Sequence, residues 1–260
     1  MADAIDLQAT ARLALACLDL TSLNDADTEA DVAKLCERAQ GQHGPVAAVC
    51  VWPRFAAFAR RQLPVNIGVA AVANFPDGST DIERAVRDTG EIVQSGAQDV
   101  DVVLPYSALK QGDDRTVSQL LSAVRKACPG LTLKVILETG VLAEDALIVR
   151  ASKLALAAGA DFLKTSTGKT PVSATTQAAT LMLGCIADDA QAVGHVGLKP
   201  SGGIRTVADA AIYIALCRDA LGPQALTARR FRIGASGLLS DIEAVLSGQA
   251  PKQPAAPSSY

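Results

Sequence analysis

EDALIVRASKLALAAGADFLK, residues 144–164, carries the pattern that repeats along this chain. A stretch rich in Leu, Ile and Ala runs to Ala158, Gly159 permits the left-handed turn that ends a helix, and Asp161–Leu163 resumes as a short apolar run. Residues 81–104 repeat the device, with a helical pattern over Asp81–Ser95, the turn Ser95-Gly96-Ala97 and the apolar run Val100–Leu104. Each turn leads within a few residues to an aspartate.

Working outward, strands are expected at Leu15–Leu20, Ala47–Trp52, Ile67–Ala73, Val100–Leu104, Leu131–Leu137, Asp161–Leu163, Val196–Leu198 and Phe231–Ile233. Helices are expected near Thr28–Gln40, Phe55–Gln62, Asp81–Ser95, Ser107–Lys126, Glu144–Ala158, Thr175–Ala192, Val207–Ala220 and Leu238–Leu246. Thr80 with Glu83 and Thr206 with Asp209 have the spacing of a capping box. Eight βα units over roughly 250 residues match an α/β fold of the (β/α)8 TIM-barrel type, with a doubly wound parallel sheet as the alternative. The chain lacks an internal Pro/Ser-rich linker, so a single barrel domain over residues 1–247 is expected. Residues 248–260, with Pro251, Pro254 and Pro257, read as a flexible C-terminal tail.

Composition narrows the function. The 260 residues are 49% hydrophobic and 20% charged, which suits a folded core. Aromatic residues make up only 3%, too few for a base-stacking platform, and a net charge of −3 provides no general field for nucleic acid. No uninterrupted apolar run is long enough to span a bilayer, and Asp3 and Asp6 stand where a signal peptide carries cations. Neither nucleic acid nor a membrane is expected as a partner. Cys17, Cys36, Cys50, Cys128, Cys185 and Cys217 show no C-x-x-C spacing, so reduced thiols and a cytoplasmic location are expected.

Barrel enzymes place their chemistry at the C-terminal ends of strands. Those positions here include Asp19, Thr21, Cys50, Trp52, Asn74, Asp101, Glu138, Thr139, Lys164, Lys199 and Gly234–Ser236. Lys164 and Lys199 each close an apolar run. Burial and a neighbouring cation both disfavour an ammonium, and an amine freed in this way can attack a carbonyl to form a Schiff base. Asp101 lies deep in Asp99-Val100-Asp101-Val102-Val103, where a lysine partner is expected. Such a pair can relay protons, although the spacing is equally compatible with a structural ion pair.

Glycine-rich segments follow the last two strands: Ser201-Gly202-Gly203-Ile204-Arg205 and Gly234-Ala235-Ser236-Gly237. Their backbone N–H groups suit a phosphate, and Gly168 with Lys169 can add to the site. Gly168-Lys169-Thr170 is not a P-loop, because Leu163 stands where its first glycine is required. His43 and His195 are the only histidines, too few for a histidine metal centre or a Ser–His–Asp arrangement, so neither a metal nor a cofactor is expected.

At these residues the chain resembles the deoxyribose-phosphate aldolase family. The likeness rests on Leu18-Asp19-Leu20-Thr21, Val51-Trp52-Pro53-Arg54-Phe55, Asn74-Phe75-Pro76, Asp99–Val103, Glu138-Thr139-Gly140, Phe162–Lys169, Lys199–Arg205 and Gly234-Ala235-Ser236, and spans nearly the whole chain. It implies a class I, metal-independent aldolase that interconverts 2-deoxy-D-ribose 5-phosphate with D-glyceraldehyde 3-phosphate and acetaldehyde. Lys164 would form the Schiff base, with Asp101 and Lys199 as proton donor/acceptors and Lys199 tuning the nucleophile. Gly168, Lys169, Gly202, Gly203, Gly234 and Ser236 would hold phosphate. Lys134, Cys50, Asp19 and Thr21 would be accessory, and the terminal Tyr260 would take part in proton transfer. Gly237 departs from the pattern, where a close relative carries serine. A homodimer acting on small phosphosugars and aldehydes is expected. Two further readings keep the barrel: a transaldolase-like phosphosugar enzyme and a non-catalytic phosphosugar-binding protein.

Overall fold

The computed structural model describes residues 6–249. Its first elements are α1 (Leu7–Ala16), β1 (Leu18–Thr21), α2 (Glu29–Arg38), β2 (Ala48–Val51), α3 (Pro53–Gln62), β3 (Gly68–Ala73), α4 (Ile82–Gln94) and β4 (Asp99–Val103). They are followed by α5 (Tyr106–Lys110), α6 (Asp114–Ala127), β5 (Thr132–Ile136), α7 (Thr139–Leu142), α8 (Asp145–Ala157) and β6 (Phe162–Lys164). The last are α9 (Thr176–Ala187), β7 (Gly197–Lys199), α10 (Val207–Leu221), a 3-10 turn at Pro223–Ala225, β8 (Ile233–Ala235) and α11 (Leu238–Leu246). All strand pairs are parallel, in the order β7-β6-β5-β4-β3-β2-β1-β8. Parallel bridges Leu198 to Phe231 and Ser201 to Gly234 bring β7 against the β8 segment, which makes this the expected (β/α)8 TIM barrel.

Strand alternation divides the apolar residues into two volumes. Outward positions such as Leu18, Leu20, Val49, Val51, Val100, Val102, Leu133, Val135, Leu163 and Leu198 pack with the helices in one continuous core. On α6, Val117, Leu120, Leu121 and Val124 recur at helical spacing and are fully buried, each contributing roughly 1.5–3 kcal/mol. Inward positions Cys50, Ala70, Val72, Val103 and Ile136 form a smaller apolar cluster inside the barrel with Leu23 and Phe75. Bulk is exchanged across the interior where strands crowd: a Cβ added to Gly197 would come within 2.6 Å of the Phe162 ring.

Several boundaries differ from the sequence pattern, each for a local reason. Leu15 belongs to α1, which buries Ala11, Ala14 and Leu15 and packs against α10 and α11, so β1 begins only at Leu18. The helix expected over Ser107–Lys126 is broken at Gly112, where φ is 84°, and restarts with Asp113 as its N-cap. Thr206 and Asp209 form the expected capping box. Thr80 and Glu83 do not; Asp81 caps α4 by accepting the Arg84 N–H at 2.9 Å. Gly96 and Gly159 adopt φ of 78° and 83°, as the two repeated turns require.

The cap assignment yields a direct comparison. Asp81→Ala should lower stability by about 1 kcal/mol, a fall of roughly 2–4 °C in Tm, whereas Thr80→Ala should change it by less than about 0.5 kcal/mol in the same thermal melts.

Candidate active site

The alternation that lines half the barrel with small apolar groups lines the other half with charge. Asp19 on β1, Asp99 and Asp101 on β4, Lys134 on β5, Lys164 on β6, Lys199 on β7 and Arg232 just before β8 share one ionic network. Strand register sets the neighbours, with Asp101 opposite Lys134 and Lys164 opposite Lys199. Lys164 Nζ and Lys199 Nζ both donate to Asp101 Oδ2 at 2.7 Å, while Lys134 Nζ donates to Asp101 Oδ1 at 3.0 Å. Lys134 also reaches Asp99 Oδ2 at 2.5 Å. Lys199 donates to Asp19 Oδ2, whose other oxygen accepts from Arg232 Nη1 at 2.6 Å. Gly234 leaves Lys199 room, since a Cβ there would lie 3.2 Å from Lys199 Cε.

Pairing decides the charge states. Burial alone raises the pKa of Asp101, but Lys134, Lys164 and Lys199 together hold its carboxyl well below the usual carboxylate range. Burial likewise opposes ionisation of Asp19, and Lys199 and Arg232 overcome it, so that its pKa is lowered. For Lys199, burial lowers the pKa while Asp101 and Asp19 raise it by more, leaving it above the ordinary lysine value. The expectation that burial and a neighbouring cation free the amine is therefore reversed at Lys199, because two carboxylates contact it directly. Cys50 sits with Sγ 4.0 Å from Asp101 Oδ2, and burial raises its pKa. Its thiol is wall rather than nucleophile.

Lys164 differs from Lys199 in access. Lys199 is fully buried, whereas Lys164 is 4% exposed and lines a cavity of about 610 Å3 at the C-terminal ends of the strands. Thr21, Gly168, Lys169, Gly202, Gly203, Gly234 and Ser236 line the same cavity. Gly202 and Gly203 are consecutive left-handed residues, with φ of 83° and 81°, a backbone that side chains would strain. Gly237 begins α11 without a side-chain cap, so the N-cap residue itself offers no acceptor to the first N–H groups of that helix. Lys169 Nζ donates to Leu23 O at 2.6 Å, joining the β6 and β1 loops across the mouth. Thr21 Oγ1 donates to Asp19 O at 2.9 Å, which fixes the end of β1. Tyr260 lies outside the described residues.

Two residues matter more than their sequence signal suggested. Glu138, fully buried with φ of 54°, accepts hydrogen bonds from Thr167 Oγ1 and, at 3.2 Å, from Thr170 Oγ1, tethering the loop after Lys164. Its place at a strand end was visible, but its role was not. Arg232 shares the inward parity of Gly234, flanked by the outward Phe231 and Ile233; that alternation was the available clue. Among the described residues no helix is long and apolar enough to cross a membrane.

Comparison with known proteins agrees with this geometry. Residues 13–240 match the profile of the DeoC/LacD family aldolases. The chain is 46% identical over 248 residues to a deoxyribose-phosphate aldolase of Agrobacterium fabrum, an alignment covering 94% of this chain and 95% of that one. A Toxoplasma gondii protein, provisionally assigned as a deoxyribose-phosphate aldolase, superposes with a TM-score of 0.86 at 26% identity, covering 95% and 99% of the two chains. The tetrameric deoxyribose phosphate aldolase of Aeropyrum pernix shares the fold, with a TM-score of 0.70 at 24% identity over 94% and 99% of the chains. A barrel rim that exposes one lysine of a buried ionic network, carried on a sequence with these relatives, makes the chain a member of the DeoC/LacD family of aldolases.

Proposed function

We propose that this chain is a class I aldolase that reversibly cleaves 2-deoxy-D-ribose 5-phosphate to D-glyceraldehyde 3-phosphate and acetaldehyde, with Lys164 as the Schiff-base nucleophile. The observation that carries the assignment is the asymmetry of the two lysines: both donate to one oxygen of Asp101, but Lys164 lines the open cavity while Lys199 is sealed between Asp101 and Asp19. Relatives that share the family supply the substrate.

In this reading the phosphate rests on the loops of Gly202, Gly203 and Ser236 and at the start of α11, which sets the distance from phosphate to aldehyde along the cavity. Lys164, in its uncharged form, attacks the aldehyde carbon to give a carbinolamine, with the Asp101 carboxylate 2.7 Å from Nζ positioned to relay protons between nitrogen and oxygen. Protonation of the carbinolamine hydroxyl releases water and leaves a protonated imine. Loss of the proton from the C3 hydroxyl then drives the C2–C3 electron pair into the imine, releasing the three-carbon aldehyde and an enamine. The enamine takes a proton at C2, and water hydrolyses the resulting imine to acetaldehyde and free Lys164. Asp101 is the proton carrier in contact with the nitrogen, and Lys199 is joined to it through the same carboxylate oxygen. Lys199, held as a cation by Asp101 and Asp19, helps to keep the Asp101 carboxyl ionised. Lys134 and Asp19 anchor the two ends of this relay. We assign protonation of the enamine carbon to Tyr260, following the family resemblance. A homodimer is the assembly we propose, and the tetramer belongs to the Aeropyrum pernix relative.

Acetaldehyde followed by borohydride should leave a reduced adduct on Lys164 alone, mapped by mass spectrometry, and Lys164→Ala should lose turnover by at least a thousandfold while keeping its far-UV circular dichroism. An adduct at Lys199 would reverse the two roles. Gly237→Asp separates phosphate binding from chemistry, because a side chain there meets open space and an aspartate caps α11 well. Its carboxylate should raise KM for the phosphorylated substrate at least tenfold while leaving kcat/KM for unphosphorylated 2-deoxyribose within about threefold. Removing Tyr260 should lower kcat at least tenfold with no change in Tm.

A further inference from the structure

The opposite end of the barrel holds a second cavity, of about 550 Å3, lined by residues that precede or open β5 and β6 and precede β7 and β8. We propose that it is a second oxyanion site, one that receives a phosphorylated small molecule. On a chain of net charge −3, the residues lining this cavity include Arg125, Arg229, Arg232 and His195 with one carboxylate, Asp161, while Arg232 also pairs with Asp19 and Asp99 behind the wall. That carboxylate is already committed. It accepts from Arg125 Nη1 at 2.9 Å and from the Leu133 N–H at 2.8 Å. Arg125 is committed as well, its other nitrogen being directed to backbone carbonyls of Cys128 and Leu131.

The remaining two arginines are not saturated. Arg232 gives Nη1 to Asp19 at 2.6 Å and to Asp99 at 3.5 Å, and Nε to Ala228 O, which leaves Nη2 with no hydrogen-bond partner among the described residues. Arg229 is exposed and makes no hydrogen bond or ion pair among the described residues. Two guanidinium groups with donors to spare, on either side of residues 230 and 231, suit the several oxygens of a phosphate better than a single carboxylate. The cavity is also larger than a bare ion requires, and the Phe162 ring, whose centroid lies 6.0 Å from the Arg232 guanidinium, offers an apolar wall for an organic body. The N-terminal end of such a barrel ordinarily serves stability, which accounts for Arg125 and for the inner edge of Arg232 but not for Arg229.

The chain provides its own reporter. His195 lines this cavity, and the other histidine, His43, hydrogen-bonds Ser247 elsewhere. In the full-length protein with labelled histidine, at fixed pH, titration with inorganic phosphate should move the His195 imidazole signals saturably and leave those of His43, assigned with His43→Gln, in place. Ribose 5-phosphate should produce the same shift at a concentration at least fivefold lower. Arg229→Glu, a surface change remote from Lys164, should weaken both at least tenfold with turnover unchanged. The site is overturned if His195 moves no further than His43, or if Arg229→Glu binds phosphate within twofold of wild type. Equal affinity for the two ligands would overturn the phosphorylated small molecule in favour of an adventitious ion only.

Discussion

One carboxylate organises the interior of this barrel. Asp101 receives ammonium groups from three successive strands, at 2.7, 2.7 and 3.0 Å, in a space that excludes solvent. Without it Lys164 would lose its carboxylate partner among the described residues and Lys134 and Lys199 would keep only Asp99 and Asp19, so burying the three ammonium groups together would cost on the order of several kcal/mol. With it, the three ammonium groups converge on the two oxygens of one carboxyl. Asp19 and Asp99 extend the same compensation to the ends of the network, and Arg232 completes it. The small apolar groups on the other half of the interior keep the dielectric low, which strengthens every pair in the charged half.

How much of this was legible beforehand depended on whether a feature is local. The repeated helix, glycine and strand units were readable because Gly96 and Gly159 mark chain reversals that few other residues tolerate. Lys164, Lys199 and Asp101 stood out because charge at the end of an apolar run is costly without a partner. The partners themselves are set by barrel closure and strand register. Residues 101 and 164 meet only because β4, β5 and β6 are consecutive in the sheet, so no spacing rule revealed that both lysines share one carboxylate oxygen. For the same reason the sequence points the wrong way on the charge state of Lys199: it displays the cationic neighbour but not the contact with Asp19, 180 residues away. Leu15, a residue of α1, reads as strand in the sequence because a buried helix face and a buried strand both appear as apolar runs.

Arg232 occupies an unusual position between the two ends of the molecule. One edge of its guanidinium is part of the buried network and the other faces the N-terminal cavity. From there a continuous path of hydrogen bonds runs through Asp19, Lys199 and Asp101 to Lys164 at the opposite mouth. Both ends of the barrel thus draw on the same set of charges.

The six cysteines, free and buried, are distributed through the fold at the end of α1, within α2, on β2, at the end of α6 and within α9 and α10. Burial raises the pKa of each, to about 12 for Cys17 and about 11 for Cys36 and Cys217. In the closed molecule these thiols are shielded from alkylating agents and disulfides alike. Their modification is therefore governed by how often each part of the barrel opens rather than by intrinsic sulfur reactivity. The cysteines form a built-in set of clocks spread over several parts of the wall, from which the order of its local openings can be read.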